Sequence, residues 1–324
     1  MIKYENIYYV GSSKPLICRD GNKQYADSMD LKFRTYDWLD LPDFDRFNDP
    51  NYLYNELKEV DEYCVIIDIS VGWTSLYDIS IIEDFIKYYN EPKKCKVYFR
   101  LVDQFPHQEL EEVYTVMKAL SNIYNIKIIG TYEVDYYGLD KVATIPYPYL
   151  VNDELERLPG AGLSNITLTG ANVKNIYPIR EKLINNICGK SKYLSYQNHP
   201  GYSGKGWDKG LIGKEYLMKL AESKCMICTT TYNKYELLKY IECAEIGCVC
   251  IGEVPISYIG TEVEKWIVRI PEEVLDDSNK FDDWYETKVL TLDINTYSMN
   301  YRNSVKELND KDSLKSLLLL AVNS

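Results

Sequence analysis

Short apolar runs alternate with helical segments along the whole chain, and this alternation limits the fold more than any other feature of the sequence. A chain that repeats strand and helix in this way builds parallel sheets covered by helices, an α/β architecture. In the first half, strands are expected at 6–10, 63–69, 96–101 and 126–131, with helices at 78–90 and 107–124. A second series places strands at 166–170, 193–196, 225–229 and 248–252. Helices are expected at 177–188, 211–222 and 234–246, and a last one at 300–322. Between the two series runs Ile145-Pro146-Tyr147-Pro148-Tyr149-Leu150, whose two prolines favour extended backbone and suit a connector. The length of 324 residues fits two domains at roughly 150 residues each. The expected organisation is a Rossmann-like domain over 1–150 and a second one over 151–299, facing each other across a cleft. A C-terminal helix over 300–324 would pack back on the first domain.

Charge is unevenly spread. The chain carries a net −12, yet residues 151–240 are net +5 while the flanking segments are net −9 and −8. A basic island in an acidic chain suits a small anion, and the overall charge argues against broad nucleic-acid binding. The start, MIKYENIYYV, has no apolar core of signal-peptide length, and no apolar run approaches the roughly 20 residues of a membrane span. A cytoplasmic protein is therefore expected. The nine cysteines are scattered, so reduced thiols are the default. Cys225 and Cys228 form a CxxC with Cys243, Cys248 and Cys250 nearby, a spacing that also raises zinc. On a strand, however, positions three apart face opposite sides, and cysteine packs well as a small apolar side chain. The cysteines are read as core, with no metal required.

Glycine-rich dinucleotide and P-loop fingerprints, HExxH and GxSxG are all missing from the sequence. Candidate ligand-binding residues are those at strand ends. Thr169-Gly170 closes a strand ahead of a helix, where backbone N–H groups can approach a phosphate. Arg180 follows in that helix, as a phosphate ligand or a surface cap. Lys205, in Gly204-Lys205-Gly206, could swing onto a phosphate or be an ordinary solvated lysine. His199, in Asn198-His199-Pro200-Gly201, and Asp103, after the strand KVYFRLV, both follow strands, where α/β domains bind ligands. His107 near a helix start carries no clear chemistry. Lys239 and Glu242 lie i, i+3 on one helical face.

The run SKCMICTTTYNKYELLKYIECAEIGCVCIGEVP resembles the donor-binding core of glycosyltransferases of the B-type double-Rossmann fold. Within that fold it is similar to the bacterial and phage CgeB-like, spore-maturation group. There a strand and small polar loop lead into a helix of the form K-x-x-E-x-x-A-x-G. Lys239, Glu242 and Gly247 match, and Ala244 sits one position early. TGANVKNIYPIREKL and NHPGY…GKEYLMKLAESK fit the same pattern upstream, so the resemblance covers roughly 160–260. It implies a nucleotide-sugar donor, UDP-linked in the first instance. Glu242 would accept from the ribose hydroxyls. Thr169 and Gly170, with Arg180 or Lys205, would hold the diphosphate; His199 would lie near the phosphate–sugar junction and Thr230 near the base or phosphates. Retaining members often carry a second glutamate eight residues before the ribose glutamate; here Lys234 stands there, which leaves the stereochemical outcome open. An inverting enzyme needs a base for the acceptor hydroxyl, for which Asp103 is the first candidate and Asp68 the second. The acceptor could be a glycan, a protein or hydroxymethylated DNA. A catalytically inactive binding or scaffold protein, and a nucleotide-sugar epimerase of the same fold, are the competing functions.

Overall fold

The computed structural model describes residues 1–11, 21–35, 60–69, 83, 86, 95–101, 108–133, 138–149, 163–173, 175–197 and 213–324. They belong to two compact units, Met1–Pro148 with Lys311–Ser324, and Tyr149–Asp310.

The first unit contains β1 (Ile7–Gly11), α1 (Gly21–Ser28), β2 (Lys32–Thr35), β3 (Tyr63–Ile69), β4 (Cys95–Leu101), α2 (Gln108–Tyr124), β5 (Lys127–Gly130) and β6 (Lys141–Thr144). The strands form one parallel sheet in the order β2-β1-β3-β4-β5-β6. Apart from Asp68, β3 is apolar on both faces, as suits a central parallel strand covered by helices. Val65 and Ile67 pack with Val97, Phe99 and the α2 residues Tyr114, Met117 and Leu120. Asn125, at φ +54°, ends α2 in the left-handed conformation that asparagine tolerates. Of the helix expected over 78–90, the described positions Glu83 and Ile86 are helical.

One polar cluster is buried in this sheet. Arg100 donates to Asp68 at 2.9 Å and to the Tyr9 hydroxyl at 3.1 Å, and Tyr9 in turn donates to Asp68. The guanidinium lies 3.7 Å from the centre of the Tyr25 ring and 5.0 Å from that of Tyr147, in the proline-flanked connector. Asp68, the second candidate base, is thus locked in a buried ion pair.

The second unit contains β7 (Leu163–Thr169), α3 (Pro178–Lys182) continued by a π turn over Leu183–Ile187, β8 (Leu194–Gln197), α4 (Gly213–Ala221), β9 (Ser223–Cys228), α5 (Leu238–Ile246), β10 (Val249–Gly252) and β11 (Val268–Arg269). α6 (Ser278–Trp284), a further π turn (Tyr285–Val289) and α7 (Ile294–Leu308) follow. Its parallel sheet runs β11-β10-β9-β7-β8. The chain steps from β7 to β8 on one side and then returns to β9 on the other. The β7/β9 junction is therefore the topological switch point, and in open α/β sheets ligands bind outside the carboxyl ends of the strands there.

Two expected elements change. The helix expected from 234 begins at Leu238, because Lys234 is left-handed at φ +56° and Leu237 is extended. The final helix is two, α7 and α8 (Lys311–Asn323), broken at Asn309-Asp310; α8 belongs to the first unit. No helix among the described residues is long and apolar enough to cross a membrane.

Candidate functional site at the switch point of the second unit

Thr169-Gly170 and Thr229-Thr230 follow each other across the switch point, one pair at the end of β7 and the other just past β9. Gly170 has φ +110°, and a Cβ there would lie 2.5 Å from Arg180 Nη1 and 2.9 Å from its Cζ. Glycine is needed because the guanidinium lies across the turn. α3 delivers that guanidinium: Pro178 occupies the first turn, where its missing N–H costs nothing, and Arg180 follows two residues on. Arg180 is only 3% exposed. Its Nε donates to Thr229 Oγ1 at 3.1 Å and its Nη1 to the Ala171 carbonyl at 3.0 Å, and its plane stacks 3.9 Å from the centre of the Tyr177 ring. These partners are neutral, and no described carboxylate is within ion-pair distance of it. Tyr196, from the end of β8, donates to the Gly170 carbonyl at 2.8 Å and fixes the turn from the other side.

The Thr229–Thr231 loop is buried, and among the described residues the Thr231 hydroxyl has no hydrogen-bond partner. The Thr230 N–H donates to the carboxylate of Glu253 at 3.0 Å. Glu253 follows Gly252, whose φ of +146° and close approach to the Cys228 carbonyl admit no side chain. Burial raises the Glu253 pKa, while the Thr230 donors, Lys234 and Arg180 pull it back.

Beside this turn lies a second polar chain. Thr169 Oγ1 is 3.0 Å from the Tyr216 hydroxyl, which receives a bond from Lys239 Nζ at 2.6 Å. Lys239 also binds Glu242 at 2.8 Å, and Tyr216 lies 3.4 Å from the same carboxylate oxygen. Lys239 keeps 15% of its side chain exposed, whereas that of Glu242 is wholly buried. The pair is thus not a solvated surface bridge, and Lys239 stands between Glu242 and solvent.

Thr169, Gly170, Arg180, Thr230, Lys239 and Glu242 all sit around the carboxyl ends of β7 and β9 or on the helix that follows. Asp103, His107, His199 and Lys205 lie outside the described residues. Sequence reasoning missed Thr229, Tyr216, Tyr196 and Glu253. The position of Thr229 directly after an apolar strand, and of Glu253 directly after Gly252, was a usable signal. Tyr216 and Tyr196 carried none in a chain with 31 tyrosines.

The eight cysteines among the described residues are buried or partly buried thiols. Cys225 packs in the apolar cluster with Ile227, Val249 and Ile251, while Cys228 faces the other side of the sheet.

No protein-family model and no curated protein matches the sequence. Solved structures do match its fold. The Anabaena protein HepE in complex with UDP aligns over 98% of this chain and 99% of its own, at 10% identity and a TM-score of 0.57. The N-terminal domain of trehalose-6-phosphate phosphatase from Candida albicans aligns over 98% of both chains, at 11% identity and a TM-score of 0.53. A glycosyltransferase from Rickettsia africae covers 96% of this chain and 88% of its own, at 11% identity and a TM-score of 0.52. Each alignment spans both units, and the chain has the α/β fold of the glycosyltransferase-B type, with two Rossmann-like units.

Proposed function

We propose that this chain is a glycosyltransferase that moves a sugar from a nucleotide donor, UDP-linked in the first instance, to an acceptor hydroxyl. The observation that carries the reading is Arg180: a nearly buried cation with neutral partners, laid across Gly170 at the switch point. A diphosphate would supply the negative charge that the direct partners of this guanidinium lack, and such charge-assisted bonds are the strong ones. The Thr231 hydroxyl, without a partner among the described residues, offers a further donor. In the Anabaena neighbour the bound molecule is UDP.

In this reading Arg180 and the Thr169-Gly170 turn hold the diphosphate and stabilise it as it leaves, with Lys205 as a second cation. Glu242 takes the ribose hydroxyls once the nucleotide displaces Lys239 or Tyr216 from its carboxylate. Thr230 meets the base or phosphates, and His199 the phosphate–sugar junction. The acceptor oxygen attacks the anomeric carbon, the bond to the diphosphate breaks, and the acceptor proton passes to a base, Asp103. No metal enters these steps. The likeness to the CgeB-like group suggests a bacterial or phage enzyme acting in the cytoplasm, with a glycan, a protein or hydroxymethylated DNA as acceptor.

UDP should raise the melting temperature of the protein by binding its folded state. Arg180→Ala should weaken UDP binding by about 1.5–3 kcal/mol, the range for hydrogen bonds to charged groups. Calorimetric titration checks this, and wild-type protein blind to UDP, GDP, ADP, TDP and CMP alike would remove the donor site. Asp103→Asn should abolish transfer while sparing UDP affinity; near-normal turnover would make Asp103 a turn cap, since asparagine caps nearly as well. Sugar altered or released without any acceptor would point to an epimerase.

A further inference from the structure

We infer that Cys228, Cys243 and Cys250 form a three-sulfur site for a soft d10 cation, zinc or its heavier relative cadmium, with a structural role. The site is made by the fold and not by the CxxC. β9 and β10 are parallel neighbours in the register Cys250↔Met226 and Cys228↔Gly252. Side chains alternate along strands, so Cys228 and Cys250 leave the sheet on one face, opposite Cys225, Ile227, Val249 and Ile251. α5 crosses that face and brings Cys243 down between them. The three sulfurs lie within 4.8 Å of one another, and all three residues are 0% exposed.

Zinc–sulfur bonds of about 2.3 Å put sulfurs about 3.8–4.0 Å apart, so closing on a metal asks less than about 1 Å of movement. Thiolate is the ligand that selects soft ions over magnesium or calcium. In the metal-free chain the thiols use weak acceptors: Cys228 donates to the Lys239 carbonyl at 3.3 Å, and Cys243 to that of Cys248 at 3.6 Å. Binding would replace these bonds: one divalent cation joins three sulfurs and three protons leave. The product carries one net negative charge, and the Tyr301 hydroxyl, which donates to the Tyr240 carbonyl at 3.0 Å, lies beside Cys250 and can turn toward it. The metal would tie together β9, α5 and β10, the elements that carry Lys239 and Glu242 and lead directly into Thr229 and Glu253. It would steady that region without touching substrate.

The test uses the full chain, reduced and refolded with cadmium or zinc, because a buried site loads as the protein folds. One cadmium per chain should appear by native mass spectrometry, with sulfur-to-cadmium charge-transfer absorption, release of three protons and a rise in melting temperature. Zinc should give the same stoichiometry without the absorption. Cys243→Ala and Cys250→Ala should each lose uptake and the thermal shift, while Cys188→Ala, a thiol outside the cluster, should keep both. Far-ultraviolet dichroism of the metal-free variants confirms that they fold; if one does not, Cys228→Ser takes its place. Wild-type protein without the absorption, or uptake that survives in Cys243→Ala and Cys250→Ala, overturns the site. So does a disulfide within the cluster whose reduction restores no metal uptake. None of these readings depends on nucleotide binding, so failure here leaves the donor site standing.

Discussion

Glu236 is a buried carboxyl at the start of the segment leading into α5. The Tyr258 hydroxyl donates to one oxygen at 2.6 Å and the Ser257 hydroxyl to the other at 3.2 Å. Burial is the larger influence and pushes its pKa up to about 7; the hydrogen bonds act against it. In the unfolded chain the group titrates near 4.5. Between the two values the folded state holds a proton that the unfolded state has lost, so stability falls as pH rises through this window. The contribution is whole below about 4.5 and gone above about 7. At roughly 1.4 kcal/mol for each tenfold difference in proton affinity, it is on the order of 3 kcal/mol. Glu236→Gln keeps the shape and removes the titration. Urea unfolding from about pH 5 to about pH 8 should show a flatter profile for the variant and greater stability than wild type at the alkaline end. Parallel profiles would mean that Glu236 is already ionised in the fold. At this scale the sequence was only partly readable. Gly170 and Arg180 could each be named from a strand end and a helix start. That one lies across the other follows from how α3 returns over the sheet, which no local pattern encodes.

Elements show the same division. β3, β4, β9 and β10 are largely apolar runs in covered sheets, and their composition announces them; in β7 the signal is the alternation of Ile166 and Leu168 with Thr167 and Thr169. β6 is half-buried throughout and β11 has two residues, so neither carries a pattern strong enough to read. The late start of α5 has another cause: Lys234, Glu236 and Leu237 are good helix formers, yet the left-handed Lys234 turns the chain first. The end of α5 was legible, because Gly247 caps it at φ +71°. What the sequence could not show is the second cap. Arg302 of α7 donates to the Ala244 carbonyl at 2.9 Å and to that of Glu245 at 3.2 Å, satisfying the last turn. Arg302→Ala should cost roughly 1.5–3 kcal/mol, as for bonds made by a charged group. A Cβ at position 247 would lie 2.5 Å from Arg302 Nη2, so Gly247→Ala should suffer both backbone strain and a clash. In the Arg302→Ala background only the strain remains. A double-mutant cycle by urea unfolding should therefore show Gly247→Ala costing less once Arg302 is gone; strict additivity would mean that the two caps are independent.

At the scale of the whole molecule, the chain finishes in the unit where it began. After α7 in the second unit, α8 is part of the first, and it meets the start of the chain. The Asn323 side chain accepts from the Ile2 N–H at 2.8 Å and donates to the Ile2 carbonyl at 3.0 Å. Lys96 and Tyr98, on β4, donate to the Val322 carbonyl at 3.0 and 3.3 Å. Lys311 pairs with Asp30 at 2.7 Å, and Lys315 binds the same carboxylate. Leu314, Leu318, Ala321 and Val322 are buried. Full burial of an aliphatic side chain is worth about 1.5–3 kcal/mol, so two leucines and a valine bring several kcal/mol to the first unit. The exposed Lys–Asp pairs add little. A marginally stable α/β unit has about 5–15 kcal/mol in all. Deleting Lys311–Ser324 should therefore loosen the first unit and spare the second, whose core contains none of these side chains. Hydrogen exchange read by mass spectrometry separates the two effects. Amides of β1 and β4 should exchange much faster in the truncated chain, and those of β7, β9 and β10 should hold their protection. The truncated protein should still bind UDP if the donor residues of the second unit suffice. Equal loss of protection in both sheets would mean that the two units unfold as one cooperative body and that α8 stabilises the whole.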